Sequence, residues 1–309
     1  MIYALEHPSR VDLVAVAQLR ERVQDLDARY DRVPSTALLA DAGQCLGQAT
    51  FLRAHAPTTR IRRELRSVEA EAATLMGQLV WDASQRRDHA TARAYFAQAI
   101  AATRHLRLPA AEGLALLRTS FVALYGEKDP KAGLALTMQT ADVTREISDV
   151  LTGLAVLHAA EAHAMLGQQT ECEHALAQAE VWFGRIGSGD PAIELFSPTQ
   201  HGRLSGSCYL FLDKPERAQP ILEQTARTLQ CRSKPQAIAL GNLALAHIRQ
   251  GQLDEAAAAL HNAIDTVETT WGGGGLSVVF GAVGELRPWR HVPVVQGVHD
   301  RLLALMAAS

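Results

Sequence analysis

At 309 residues the chain is long for one compact core, because single cores stop growing at about 250–300 residues, and it suits one elongated array or two domains. Hydrophobic residues make up 48% and charged residues 20%, which excludes a disordered chain; a formal charge of -3 argues against a whole-surface nucleic-acid binder. Aromatics are only 5% and the apolar fraction is dominated by Ala and Leu, which favour helices over strands, so an all-α fold is expected.

Met1 to Asp12 carries acidic, basic and Pro residues and no continuous apolar stretch, so neither a signal peptide nor a lipid anchor is expected. No run of about 20 apolar residues follows, which predicts a cytoplasmic protein that does not enter a membrane. Cys45, Cys172, Cys208 and Cys231 form no CxxC and no Cys/His cluster, and read as reduced, small apolar residues in helices. No metal and no cofactor is expected. Four lysines (Lys128, Lys131, Lys214, Lys234) among many arginines and alanines point to a GC-rich bacterial genome.

Leu13, Val16, Leu19, Val23, Leu26 and Tyr30 recur at spacings of three and four, predicting an amphipathic helix over about 12–32, ended by Pro34. Ser35 is placed to cap a second helix on Leu39, Ala42, Cys45, Leu46, Ala49 and Leu52, which Ala56-Pro57 stops. A third is predicted from Thr59 to about Gln85 on Ile61, Leu65, Val68, Ala72, Leu75 and Leu79. Beyond it, short Asp, Gly or Pro breaks near 88, 108, 129, 148, 168, 190, 214, 234 and 252 separate helical runs of near-equal length, the mark of a repeat.

In the second helix of each pair a small residue is followed by a larger one four positions on and a small one seven on. The sets are Ala92, Phe96, Ala99; Gly133, Thr137, Thr140; Cys172, Leu176, Ala179; Ala218, Leu222, Thr225; and Ala256, Leu260, Ala263, stepping by 41, 39, 46 and 38 residues. Small residues are needed where the two helices of a pair cross closely, and the larger one fills the gap to the next pair. Three parts are expected: amino-terminal helices over 1–70, about five helix pairs over 71–270, and capping helices over 271–309. Gly272 to Gly275 has no Lys-Ser or Lys-Thr after it and no strand before it, so it reads as a linker or helix break rather than a phosphate loop. Leu276 to Glu285 and Val292 to Met306 then form a closing pair over the last apolar face.

This pattern, with Gly251-Gln252-Leu253-Asp254-Glu255-Ala256 as an inter-helix turn, resembles the tetratricopeptide repeat, a helix-turn-helix unit of about 34 residues. The resemblance covers about residues 70 to 270. It implies an all-α, right-handed superhelical solenoid of antiparallel helix pairs whose concave groove binds a peptide, a protein partner or a small signalling ligand. Gly126 to Gly133, Leu212 to Leu222, and Leu286-Arg287-Pro288 with His291-Val292-Pro293-Val294-Val295 look more narrowly like the sensor half of actinobacterial tetratricopeptide-type transcriptional regulators. That implies a role in transcriptional or signalling control. The DNA-binding helix-turn-helix domain that such regulators carry has no room ahead of a helix beginning near residue 12.

The family's inner-face positions fall on Trp81, Gln85, Arg118, Tyr125, Glu161, Met165, Arg203, Phe211, Asn242 and Arg249. Arg118, Arg203, Asn242 and Arg249 are the polar anchors this implies, Trp81, Tyr125 and Phe211 the apolar ones, with Glu161 beside them. Arginine and Asn hold backbone or carboxylate groups in defined geometry, and aromatics bury area at low entropy cost.

Twelve histidines invite a metal reading, with His158, His163 and His201 foremost. They sit singly, His158 and His163 are five apart rather than four, and no HExxH occurs. No GxSxG, paired-carboxylate or Cys/His pattern stands out, so no enzyme is expected. Arg53, Arg60, Arg62, Arg63, Arg66, Arg86, Arg87 and Arg93 make 53–93 locally basic, but Glu64, Glu69, Glu71, Asp82 and Asp88 interleave. That predicts a solvated face with i to i+4 pairs rather than direct nucleic-acid binding. Two alternatives stay open: a DNA-binding regulator using that face or acting with a partner, and an oligomeric scaffold, such as a homodimer, paired through Leu276 to Met306.

Overall fold

Helix-forming runs and Pro, Gly or Asp breaks alternate along the chain. The computed structural model, which describes residues 2–229 and 232–307, is accordingly all-α, with no strand among them. The helices are α1 (Ile2–Glu6), α2 (Leu13–Arg29), α3 (Thr36–His55), α4 (Thr59–Ala83), α5 (His89–Leu106), α6 (Pro109–Phe121), α7 (Pro130–Thr144), α8 (Asp149–Met165), α9 (Gln169–Phe183), α10 (Gln200–Phe211), α11 (Pro215–Thr228), α12 (Lys234–Arg249), α13 (Leu253–Thr270), α14 (Gly273–Glu285) and α15 (Pro293–Ala307). Asp12, Thr58, Asp88, Asp129, Ser148 and Ser233 start their helices by accepting a first-turn N–H, which is why the polar breaks mark the boundaries. Ser35 departs from this expectation: it makes no cap bond, because a buried carboxylate takes its hydroxyl. Cys45, Cys172 and Cys208 are buried and unbridged; Cys231 lies outside the described residues.

The helices α4 to α13 pack as consecutive pairs, α4 on α5 through α12 on α13. The first members α4, α6, α8, α10 and α12, with α14 after them, also touch one another in succession, so they form the inner row, and their partners the outer one. Among the described residues the apolar interior is divided into six clusters strung along the chain, the distribution of a solenoid rather than of a single globular core. Each outer helix buries its predicted small-large-small set. The crossings are as close as those sets require: a Cβ on Gly77 of α4 would lie 2.7 Å from the Phe96 ring of α5, and one on Gly206 of α10 would collide with Leu222 of α11.

The turns from α4, α6, α8, α10 and α12 to their partners each use a left-handed residue: Arg86, Lys128, Gly167, Asp213 and Gly251, with φ between 55 and 74°. Glycine adopts this conformation freely and other residues do so at a steric cost. The 46-residue step is longer because 184–199 connects α9 to α10. Ile186, Ala192, Leu195 and Phe196 of this connection pack with Leu114, Leu117 and Phe121 of α6 and with Val150, Leu151 and Leu154 of α8. Asp190 pins it by accepting from the Ser148 hydroxyl (2.7 Å) and the Val150 N–H (3.1 Å).

The array returns on itself, so that the end of α4 meets the starts of α12 and α14. Asp82, 2% exposed, accepts from the Ser35 hydroxyl (2.6 Å), the Lys234 ammonium (2.9 Å) and the Gly273 N–H (2.8 Å). Lys234 also donates to Ser35 Oγ (2.7 Å), lies 3.8 Å from the Tyr30 ring centre, and gives its N–H to the Asp31 carbonyl (2.8 Å). A Cβ on Gly273 would sit 2.8 Å from the Asp82 carbonyl oxygen. The glycine run is therefore no linker: Gly272 caps α14 and Gly273 to Gly275 form its first turn, because only bare backbone approaches α4 this closely. The rest of the closing pair continues both rows, with α14 on α12 and α15 on α13.

Lys128→Gly should raise stability by about 0.5–1 kcal/mol, the left-handed penalty removed less the entropy glycine adds to the unfolded chain; an unchanged or lower melting temperature refutes this. Lys234→Ala leaves Asp82 without its counter-charge and should cost about 3–5 kcal/mol. Amide exchange over residues 273–279 should accelerate in that variant, and unchanged protection there would show that the contact does not hold α14.

Candidate ligand site on the inner face

The last turn of α4 carries Trp81, after which Gln85 and Arg86 both adopt left-handed conformations (φ 53 and 62°), a local strain that surrounding contacts must hold. Arg86 folds back so that its guanidinium lies 4.7 Å from the Trp81 ring centre and 5.6 Å from that of Tyr125. Tyr125 stands in a π-helical turn, Val122–Gly126, that extends α6, with the Glu127 N–H reaching back to the Val122 carbonyl (2.9 Å). Such insertions change the direction of side chains and are frequent at functional sites.

From this turn the Tyr125 hydroxyl reaches α8, where it donates to Glu161 Oε2 and lies 2.7 Å from His158 Nδ1. A phenol has one proton, so Nδ1 of His158 carries the hydrogen of the second bond. The other Glu161 oxygen accepts from the Ser207 hydroxyl of α10 (2.6 Å), and the Phe121 and His158 rings stand 4.3 Å apart. Burial, and then the Glu161 charge, push the Tyr125 phenol well above its ordinary range. Burial also lowers His158 below 6.5, against the pull of Glu161. Burial alone would raise Glu161, but His158, with Nδ1 3.6 Å away, and the hydroxyls of Ser207 and Tyr125 bring it below its ordinary value. The network is a neutral imidazole and an intact phenol around one carboxylate.

Three guanidiniums surround it. Arg118 of α6 lies 5.5 Å from the Phe121 ring centre, and Arg203 precedes Ser207 by one turn of α10. The charges of Arg86 and Arg203 both act on Tyr125, those of Arg118 and Arg203 on His158, and those of Arg86 and Arg118 on Tyr30. Among the described residues no carboxylate lies within 4.0 Å of any of the three, nor does any of them donate a side-chain hydrogen bond. Nε of Arg86, Nε of Arg118, Nε1 of Trp81 and Nε2 of Gln78 are buried without partners. An unmet buried donor costs about 1–3 kcal/mol, so four in one region favour a group that accepts hydrogen bonds there.

Of the residues predicted from the sequence, the structure thus brings together Trp81, Arg118, Tyr125, Glu161 and Arg203. Asn242 is buried on α12 with no hydrogen bond to this cluster among the described residues. Phe211 is 46% exposed at the end of α10. Arg249 is engaged elsewhere, donating to both Glu285 oxygens (2.8 and 3.1 Å) and to the Leu210 carbonyl (2.7 Å), which ties α10, α12 and α14 together. Phe121 and Ser207 were not anticipated, and Arg86 and His158 were singled out only in the basic run and among the histidines. The His158/Glu161 spacing of three on one helix was a usable signal; nothing local marks Arg86, which reaches the site only by its left-handed turn.

The basic run is divided among separate contacts. Arg53 pairs with Glu69 across α3 and α4 (2.6 Å), and Arg93 with Glu127 across α5 and the end of α6 (2.5 Å). Arg62 and Arg63 donate to the Ala56 and Leu106 carbonyls. The expected i to i+4 pairs do not form there because neighbouring helices bring closer acceptors. Among the described residues no group of three His, Cys, Asp or Glu is arranged to hold a metal, and no helix is long and apolar enough to cross a membrane.

The tetratricopeptide repeat family matches residues 237–272, which run from the first turn of α12 to the end of α13. That pair is similar to a tetratricopeptide repeat. No curated protein matches the chain. The other pairs share the repeat's small-residue crossings and left-handed turn, making the array an all-α solenoid of tetratricopeptide-like pairs. Repeats of this kind are protein-interaction scaffolds and typically lack catalysis of their own.

His158 and Glu161 both bind protons less readily when folded than when unfolded. Their contribution is therefore complete above about pH 6.5 and is lost in acid, first through His158 and then, below about 4.5, through Glu161. His158→Gln should flatten the decline of unfolding free energy as pH falls below about 6.5; an unchanged slope in urea titrations would sink the assignment.

Proposed function

We propose that the protein is a binding scaffold in bacterial transcriptional or signalling control, acting in the cytoplasm, whose inner face takes a peptide, a protein terminus or a small signalling ligand. The observation that supports this reading is the set of three guanidiniums, Arg86 and Arg118 against the Trp81, Tyr125 and Phe121 rings and Arg203 one turn before Ser207, none with a carboxylate within 4.0 Å among the described residues. Trp81 and Tyr125 supply apolar walls, and Glu161 orients Tyr125. A ligand bridging α4, α6 and α10 would change the curvature of the array, and the outer row would pass that change to a partner. The division of the Arg53 to Arg93 run among helix contacts leaves DNA recognition to such a partner. The exposure of Phe280 (40%) and Leu303 (69%) on α14 and α15 favours a second reading, a homodimer through these helices, which a monomer in light scattering at micromolar concentration would eliminate.

Native mass spectrometry of protein from its own host should show a retained ligand. Replacing Arg118 and Arg203 together by Ala should remove it and weaken its binding in calorimetry by about 3 kcal/mol or more, on the scale of charged hydrogen bonds. Equal retention by the double variant would rule these residues out.

A further inference from the structure

We infer that the inner face takes a compact dianion, such as a phosphoryl or dicarboxylate group of a small molecule, rather than an extended peptide. This deepens the binding reading above and rests on it.

The first argument is space. The connection 184–199 packs across α6 and α8, and the Asp82–Lys234 contact joins the end of α4 to α12 and α14. A ten-residue extended peptide spans about 33 Å, and the inner row is bounded on both of these sides by the protein's own chain.

The second argument is charge and shape. Each guanidinium presents parallel N–H groups in a fixed fork that matches one oxyanion bidentately. Arg86, in the turn after α4, lies against the Trp81 and Tyr125 rings, Arg118 of α6 against Phe121, and Arg203 of α10 stands one turn before Ser207, which bonds Glu161; two of the three charges act on each of Tyr125, His158 and Tyr30. A single peptide carboxylate fills one fork; a group with at least two negative charges in a small volume engages several. The carboxylates nearby do not supply it: Glu161 is filled by Tyr125 and Ser207, Asp82 by the α4–α14 contact, and Asp27 and Asp31 lie more than 4.0 Å from all three arginines.

Calorimetry and thermal melting of the whole chain with inorganic pyrophosphate, succinate and a ten-residue Glu-rich peptide test this. At least one small dianion should bind at micromolar concentration and raise the melting temperature, and the preferred arm separates phosphoryl from dicarboxylate chemistry. Arg118→Lys and Arg203→Lys keep the charge and remove the fork. Each should weaken that dianion at least tenfold while the unliganded melting temperature stays within a degree or two. Affinity unmoved by either variant overturns the inference. Binding of the peptide alone, sensitive to Arg203→Lys, overturns the compact class and leaves the binding role standing; binding of none of the three at millimolar concentration removes both.

Discussion

The Asp82 carboxylate gathers donors from three distant stretches of chain, the Ser35 hydroxyl, the Lys234 ammonium and the Gly273 amide. A buried carboxylate is costly unless it is paired and hydrogen-bonded, so this contact persists only if the intervening repeats add up to the curvature that delivers α12 and α14 to the end of α4. The small-residue crossings are thus more than local packing. They set the distance within each pair, hence the step between pairs, hence where the last pairs arrive. Arg86 follows Asp82 by one turn and lies against Gly274, so the contact that closes the array also holds one of the three guanidiniums of the inner face.

Two groups of arginines differ in what surrounds them. Arg53, Arg93, Arg217 and Arg249 each meet a carboxylate on a neighbouring helix; such part-exposed pairs contribute modestly, about 0–1 kcal/mol each, and serve mainly to register one helix against the next. Arg86 and Arg118 have rings beside them instead of carboxylates, and Arg203 has no carboxylate within 4.0 Å among the described residues. In a partly desolvated setting, like charges gathered without partners oppose folding, and donors left unmet in the interior add to that. The Tyr125–His158–Glu161–Ser207 network offsets this by rigidifying the rings between them, with every polar atom around Glu161 engaged.

Much of the array was legible in residue order alone. Spacings of three and four located α2, α3 and α4 to within a few residues, the Asp, Ser and Thr breaks are the helix caps, and the small-large-small sets are the buried faces of the outer helices. Gly167 and Gly251 announce the left-handed turn, but Arg86, Lys128 and Asp213 adopt it without glycine, and so no composition rule betrays those three. Borrowed inner-face positions placed Trp81, Arg118, Tyr125, Glu161 and Arg203 in one neighbourhood, since position within a helix fixes direction. They misjudged Arg249, whose direction was right but whose carboxylate partner, Glu285, comes from the next pair.

What residue order determined by itself is everything that depends on neighbours along one helix: the all-α class, the helix limits, the repeat, and the side of each helix that must be small. What only the tertiary structure decided is everything that depends on accumulated curvature. That includes the closure of α14 on α4, the packing of 184–199 across α6 and α8, the hydroxyl of Ser35 lost from its cap, and which arginines find carboxylates. The physical reason is that small rotations between successive pairs add over the whole array, and no local pattern records their sum.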